Sequence, residues 1–150
     1  MKIAIGADHG GFRLKEVLVK FLKEEGYNVR DFGTFSSENC DYPPIGYEVS
    51  KEVGSGRFSR GILVCKTGVG MSMVANKVKG VRAALCDRID IARSSREHND
   101  ANILVFAANI ISAIKAKKIL KVWLSTQALG RRHRRRVEQI KRIEGLSHMA

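Results

Sequence analysis

Long apolar runs are missing from this sequence: no segment approaches the roughly twenty residues that span a bilayer. The opening residues, MKIAIGADHG, contain no apolar core of the kind that marks a secretory signal. A cytoplasmic protein with no membrane partner is therefore expected. Cysteine is scarce as well. Cys40, Cys65 and Cys86 are an odd number without C-x-x-C spacing, which fits reduced thiols and speaks against a disulfide framework or a zinc knuckle. The segment TGVGMS fits neither the Walker phosphate loop nor the dinucleotide fingerprint, so neither nucleotide class is supported. Internal repeats and low-complexity stretches are also lacking. Acidic side chains are in deficit, 15 against 27 Lys and Arg, for a net charge of +12. Most of the imbalance sits late in the chain: between Ile111 and Ala150 only Glu138 and Glu144 oppose 11 basic residues. A basic tail on a nearly balanced body suits nucleic acid, a phosphorylated small molecule or an acidic partner, and charge alone does not choose among them.

What is present is enough for a single domain with a sizeable core, since 44% of 150 residues are hydrophobic. Lys2 to Ala7 reads as a strand, broken by Asp8-His9-Gly10-Gly11. The next helix sets Leu14, Val17, Leu18, Phe21 and Leu22 on its apolar face, leaves Lys15 among the polar positions and stops at Gly26. Tyr27 to Phe32 is a second strand, and after a polar loop Pro43-Pro44 starts a helix to about Val53. Gly61 to Cys65, Val81 to Cys86 and Ile103 to Ala107 complete five strands. Helices are expected after the third strand as far as Lys79-Gly80, over Ile89 to Glu97, over Ser112 to Ser125 and over Arg132 to Glu144. Such alternation predicts a parallel sheet with right-handed crossovers and helices on both faces. Sites in these sheets lie beyond the C-terminal strand ends, where Asp8-His9 and Cys65 to Gly70 fall; His98-Asn99-Asp100 must reach that rim from the end of a helix.

The segment GILVCKTGVGMSMVANK, residues 61 to 77, carries the chemistry. A buried strand turns through glycines into a helix, which brings backbone N–H groups and the positive end of a helix dipole to one place, a setting for an anion. Cys65 stands at its mouth. A thiol there is either a small core residue or, stabilised as thiolate by N–H dipoles, Lys66 or a histidine, a base or nucleophile. Asp8 and His9 are turn residues or acid-base groups. Arg132 and Arg136 share one helix face and can present two guanidinium forks to one phosphate.

Together, GADHGGF with LK, DYP, CKTGVGMSMVANK, SREHNDAN and GRRH with RRV resemble the ribose-5-phosphate isomerase B family, whose relatives act on galactose 6-phosphate and allose 6-phosphate. The resemblance runs from Met1 to about Ile143. It implies a Rossmann-like three-layer α/β sandwich with a five-stranded parallel sheet, homodimers or tetramers built from them, and a C-terminal helix extending to a partner subunit. The implied reaction interconverts ribose 5-phosphate and ribulose 5-phosphate without metal or organic cofactor. By motif, Cys65 is the base, His98 the acid for ring opening and Thr67 the proton carrier between substrate oxygens. Asp8 and His9 contact the sugar and its phosphate, Arg132 and Arg136 hold the phosphate, and Tyr42 lines the pocket. Backbone N–H groups of Lys66, Thr67, Gly68, Val69, Gly70 and Asn99 stabilise the enediolate.

Three positions depart from the pattern: Lys66 replaces a usual glycine, Asn109 a frequent arginine and Asp90 a common tyrosine. The alternatives are isomerisation of a six-carbon aldose phosphate, and an inactive scaffold binding nucleic acid through the basic last helix. The stripe Val137, Ile140 and Ile143 on that helix suits packing across a two-fold axis.

Overall fold

Side chains that alternate along a strand must face opposite layers, and the first strand shows both. In β1 (Lys2–Ala7), Ile3, Ile5 and Ala7 enter one core while Ala4 enters the other. The computed structural model describes residues 1–147 and 149. Its remaining elements are α1 (Phe12–Glu24), β2 (Asn28–Asp31), α2 (Tyr42–Gly54), β3 (Arg60–Cys65), α3 (Val69–Asn76), β4 (Ala83–Leu85), α4 (Ile89–Asn99), β5 (Ile103–Ala107), α5 (Ala113–Ser125) and α6 (Arg132–Ser147). All strand pairs are parallel, in the order β2-β1-β3-β5-β4. Helices α1, α4 and α5 cover one face around Leu18, Leu22, Ala92, Ile119 and Trp123; α2 and α3 cover the other around Val49, Val53, Met71 and Ala75.

The crossovers from β1 to β2 and from β4 to β5 move one way across the sheet and use the first face. Those from β2 to β3 and from β3 to β4 move the other way and use the second, as a constant hand of crossover requires. The direction reverses between β1 and β3. Their C-terminal ends therefore flank the crevice in which ligands of open α/β sheets bind.

Several expectations are corrected. Strand β2 is shorter than Tyr27 to Phe32, β4 is shorter than Val81 to Cys86, and α3 ends before Lys79. At the short edge strand β4, Asn76 fills pairing positions with its side chain: its Oδ1 accepts from Ala83 N–H at 2.9 Å, and its amide donates to the Ala83 carbonyl at 3.0 Å. Lys15 is buried within α1 although it reads as a polar position. Its ammonium pairs with Asp31 and with Glu16 at 2.6 Å, and lies over the rings of Phe12 and Phe35 at 5.5 and 5.3 Å from their centroids. A buried cation is tolerated where charge partners and aromatic faces replace water.

Helix α6 crosses the opposite end of the sheet. It buries His133 and Val137 and leaves Ile140 and Ile143 exposed, while Glu144 Oε1 accepts from Gly80 N–H at 2.8 Å. Among the described residues no helix is long and apolar enough to cross a membrane.

Candidate active site

Strand β3 ends on Cys65, whose side chain points into the α2–α3 layer and is only 5% exposed. The chain then turns through Gly68, where φ is +73°. A Cβ at Gly68 would lie 2.3 Å from Leu85 Cδ1, so both conformation and space call for glycine. This turn folds the backbone back over the thiol, and Gly68 N–H donates to Cys65 Sγ at 3.1 Å. Val69 N–H faces Thr67 Oγ1 at 3.4 Å, and the first N–H to enter the helical ladder is that of Ser72, donating to Gly68 O. Gly70 and Met71 thus supply the remaining orphan donors of the first turn. The β5 end supports the loop from behind: Ala108 N–H donates to Cys65 O at 2.9 Å and Asn109 N–H to Lys66 O at 3.0 Å.

Around the thiol a pocket of about 380 Å³ is lined by Asp8, Tyr42, Cys65, Lys66, Thr67, Val69, Gly70 and Met73. Asp8 is buried and its Oδ1 accepts from Gly11 N–H at 3.0 Å, which fixes the carboxylate at the end of β1. Gly11 sits so close to β3 that a Cβ there would lie 2.5 Å from the Val64 carbonyl oxygen. The Tyr42 ring covers Gly70, where a Cβ would meet its Cζ at 2.6 Å. His9 is in an adjoining cleft with Asn39, Cys40, Asp41 and Lys66. Its Nδ1 lies 3.2 Å from both the N–H and the carbonyl oxygen of Cys40, so either ring tautomer has a partner.

The structure thus brings together Asp8, Tyr42, Cys65, Lys66, Thr67, Val69 and Gly70 with Gly68 beneath them, and His9 beside them. It does not bring His98, Asn99, Arg132 or Arg136 to that rim within one chain. This corrects the expectation for the α4 terminus. A helix between parallel strands carries the chain back to the N-terminal rim, and α4 ends there: Arg82, ahead of β4, donates from Nε to the carbonyls of Asn99 and Asp100 at 3.1 and 3.0 Å. Asp100 adopts a positive φ of 48°, and its carboxylate is held by Arg82 at 3.1 Å and by Arg96 at 2.8 Å, contacts that offset the strain of that conformation. His98 then stacks on His133 of α6, and Arg132 and Arg136 project from the same helix one turn apart.

The sequence reading missed three participants. Met73 lines the Cys65 pocket, Asn39 and Cys40 line the His9 cleft and His133 stacks on His98; only the letters H in GRRH and M in CKTGVGMSMVANK hinted at two of them. Among the described residues no group of three His, Cys, Asp or Glu side chains is placed to hold a metal ion.

A thiol capped by a backbone donor, beside a buried carboxylate and a row of unpaired N–H groups, is equipped to take a proton from carbon and to hold the oxyanion that results. Fold and site define an α/β protein whose candidate proton-transfer groups lie at the switch point of its sheet. A family profile described as Ribose/Galactose Isomerase matches residues 3–140. Ribose-5-phosphate isomerase B of Escherichia coli strain K12 is 47% identical over 143 residues, which cover 95% of this chain and 96% of that protein. The structure of Clostridium thermocellum ribose-5-phosphate isomerase B aligns with a TM-score of 0.96 at 48% identity, covering 98% and 99% of the two chains. The structure of ribose-5-phosphate isomerase B from Mycoplasma genitalium, with bound ribulose-5-phosphate, aligns at 0.92 and 38% identity over 96% of each chain. The chain belongs to the ribose/galactose isomerase family.

Proposed function

We propose that the protein is an aldose-ketose isomerase, one domain spanning the chain, that interconverts ribose 5-phosphate and ribulose 5-phosphate. The observation that carries the reading is the contact of Gly68 N–H with Cys65 Sγ inside the N–H nest, in a chain 47% identical to a ribose-5-phosphate isomerase B. Acting as thiolate, Cys65 takes the proton from C2 of the open-chain aldose. The C–H electrons become the C1–C2 double bond and the carbonyl electrons move to O1, giving an enediolate. The backbone N–H groups of the 66–70 turn, four of whose residues line the pocket, and that of Asn99 from the second copy are the donors assigned to that charge. Thr67 passes a proton between O2 and O1, and Cys65 returns its proton to C1 as the C2 carbonyl forms.

Ring opening needs an acid at the ring oxygen, the role assigned to His98, and the phosphate needs cations, the role assigned to Arg132 and Arg136. Since these residues end up at the opposite rim from Cys65, the reading requires a second copy of the chain to bring them. A homodimer, with or without further pairing to a tetramer, supplies that arrangement, and the exposed Ile140 and Ile143 on α6 favour such a contact. Three free thiols suit the reducing cytoplasm.

The test is exchange of the C2 proton of ribose 5-phosphate with deuterated solvent, alongside turnover of five- and six-carbon aldose phosphates. The wild type should exchange and prefer the pentose. Cys65→Ala should bind substrate without exchange; full exchange in that variant refutes the thiol base.

A further inference from the structure

Lys66 stands at the wall shared by two clefts, the one around Cys65 and the one around His9. Its stem lies across Gly10, where a Cβ would fall 2.4 Å from Lys66 Cγ and 3.1 Å from Cε. The space left by a missing side chain is thus occupied by the methylenes of another residue, and Asp8 Oδ1 lies 3.3 Å from the same point, so the stem runs over Gly10 toward the end of β1. The backbone of Lys66 is fixed by the Asn109 N–H bond to its carbonyl, so the stem leaves a pinned position. Among the described residues the Lys66 ammonium has no ion-pair partner.

The acid-base end of a sugar phosphate must sit at Cys65, and the rest of the molecule must leave the nest through an open cleft. The cleft that Lys66 overlooks presents the His9 imidazole and the Cys40 backbone, with Asp41 its exposed carboxylate. Position 109, next to Lys66, offers only a neutral amide on this rim. Among the described residues Lys66 is the one lysine or arginine lining this cleft and stands with the His9 imidazole opposite the single carboxylate of Asp41, a balance that suits a phosphate dianion, and the unbranched lysine stem lets the ammonium adjust to its ligand.

We infer that the Lys66 ammonium binds the phosphate of the substrate, the cation on the Cys65 rim that complements Arg132 and Arg136 from the other copy. The inference rests on the sugar-phosphate reading above. It also separates two effects that a lysine beside a thiol could have, because an ammonium drawn across Gly10 acts on the ligand and leaves the sulfur to Gly68 N–H.

The experiment measures inorganic phosphate binding by calorimetry, which needs no turnover, and the pH profile of kcat/KM for ribose 5-phosphate. Lys66→Met, which keeps the stem, should weaken phosphate binding about five- to tenfold, as loss of one partly solvated charged contact does. Lys66→Arg should stay within about twofold of wild type. Gly10→Ala, which displaces the stem without removing the charge, should weaken phosphate in the same direction as Lys66→Met. The acidic limb of kcat/KM should not move in Lys66→Met. Unchanged phosphate affinity in Lys66→Met overturns the inference, and so does an acidic limb moved to higher pH, which would place the ammonium on the thiol. Absence of isomerisation by the wild type would overturn the proposed reaction instead, while the phosphate affinities would still decide the role of Lys66.

Discussion

The imidazoles of His98 and His133 stack with their centroids 4.2 Å apart and their planes 7° from parallel. The contact joins α4 to α6, and His133 Nδ1 is buried without a hydrogen-bond partner. Burial first, then the neighbouring His98, Arg132 and Arg136, hold the His133 pKa below its usual value, with Glu97 opposing. The folded protein therefore binds a proton at His133 less readily than the unfolded chain does. This contribution to stability is complete above about pH 6.5, the unfolded value, and is lost as pH falls from there toward the lower folded value. Denaturation midpoints between pH 5 and 7.5 should rise with pH in the wild type and rise less in His133→Phe, which keeps a stacking ring. Equal slopes would show that His133 does not carry the dependence.

Arg132 and Arg136 stand one turn apart at the start of α6, and neither is paired with a carboxylate among the described residues. Arg132 Nε faces His133 Nε2 at 3.5 Å, and two guanidinium groups i,i+4 apart repel by a few tenths of a kcal/mol that a bound anion would reverse. Replacing either by Ala should weaken ribose 5-phosphate binding by about 1.5–3 kcal/mol, the range for charge-assisted hydrogen bonds. Inhibition by inorganic phosphate should weaken in parallel. Wild-type KM and phosphate inhibition in both variants would place the phosphate elsewhere.

A third expectation concerns the buried cation in α1. Lys15→Met removes the ammonium but leaves Asp31, which is 21% exposed, and its own bond from Gly33 N–H at 2.8 Å. Full burial of an orphaned carboxylate costs 3–5 kcal/mol, so with partial hydration a loss of about 1–3 kcal/mol is expected in urea unfolding at neutral pH. A variant as stable as wild type would mean that the pair only breaks even with an apolar side chain.

Much of this architecture is legible from residue pattern because its causes are local. Strand β3 and the glycine turn follow from four apolar residues and Gly68, whose positive φ no other residue adopts cheaply. Lys15 is not legible, because its partner Asp31 is distant in sequence and a lysine at that helix position normally faces water. The partnership of His98 with Cys65 is implied by the family resemblance alone, and the subunit that supplies His98 follows only from topology: its place five residues before β5 puts it at the N-terminal rim, away from Cys65 of the same chain. Likewise, the direction of the Lys66 stem depends on the absence of a side chain at Gly10, on a different strand end.

The central claim is that Cys65 of one copy works with His98 of another. Cys65→Ala and His98→Ala should each be inactive alone. When they are coexpressed and pair at random, half the dimers combine one of each, and each such dimer holds one site with both Cys65 and His98 intact. Activity should recover to about a quarter of wild type, as the two-fold arithmetic requires. No recovery above the single variants, measured on dimers shown by mass to contain both chains, would contradict the shared site.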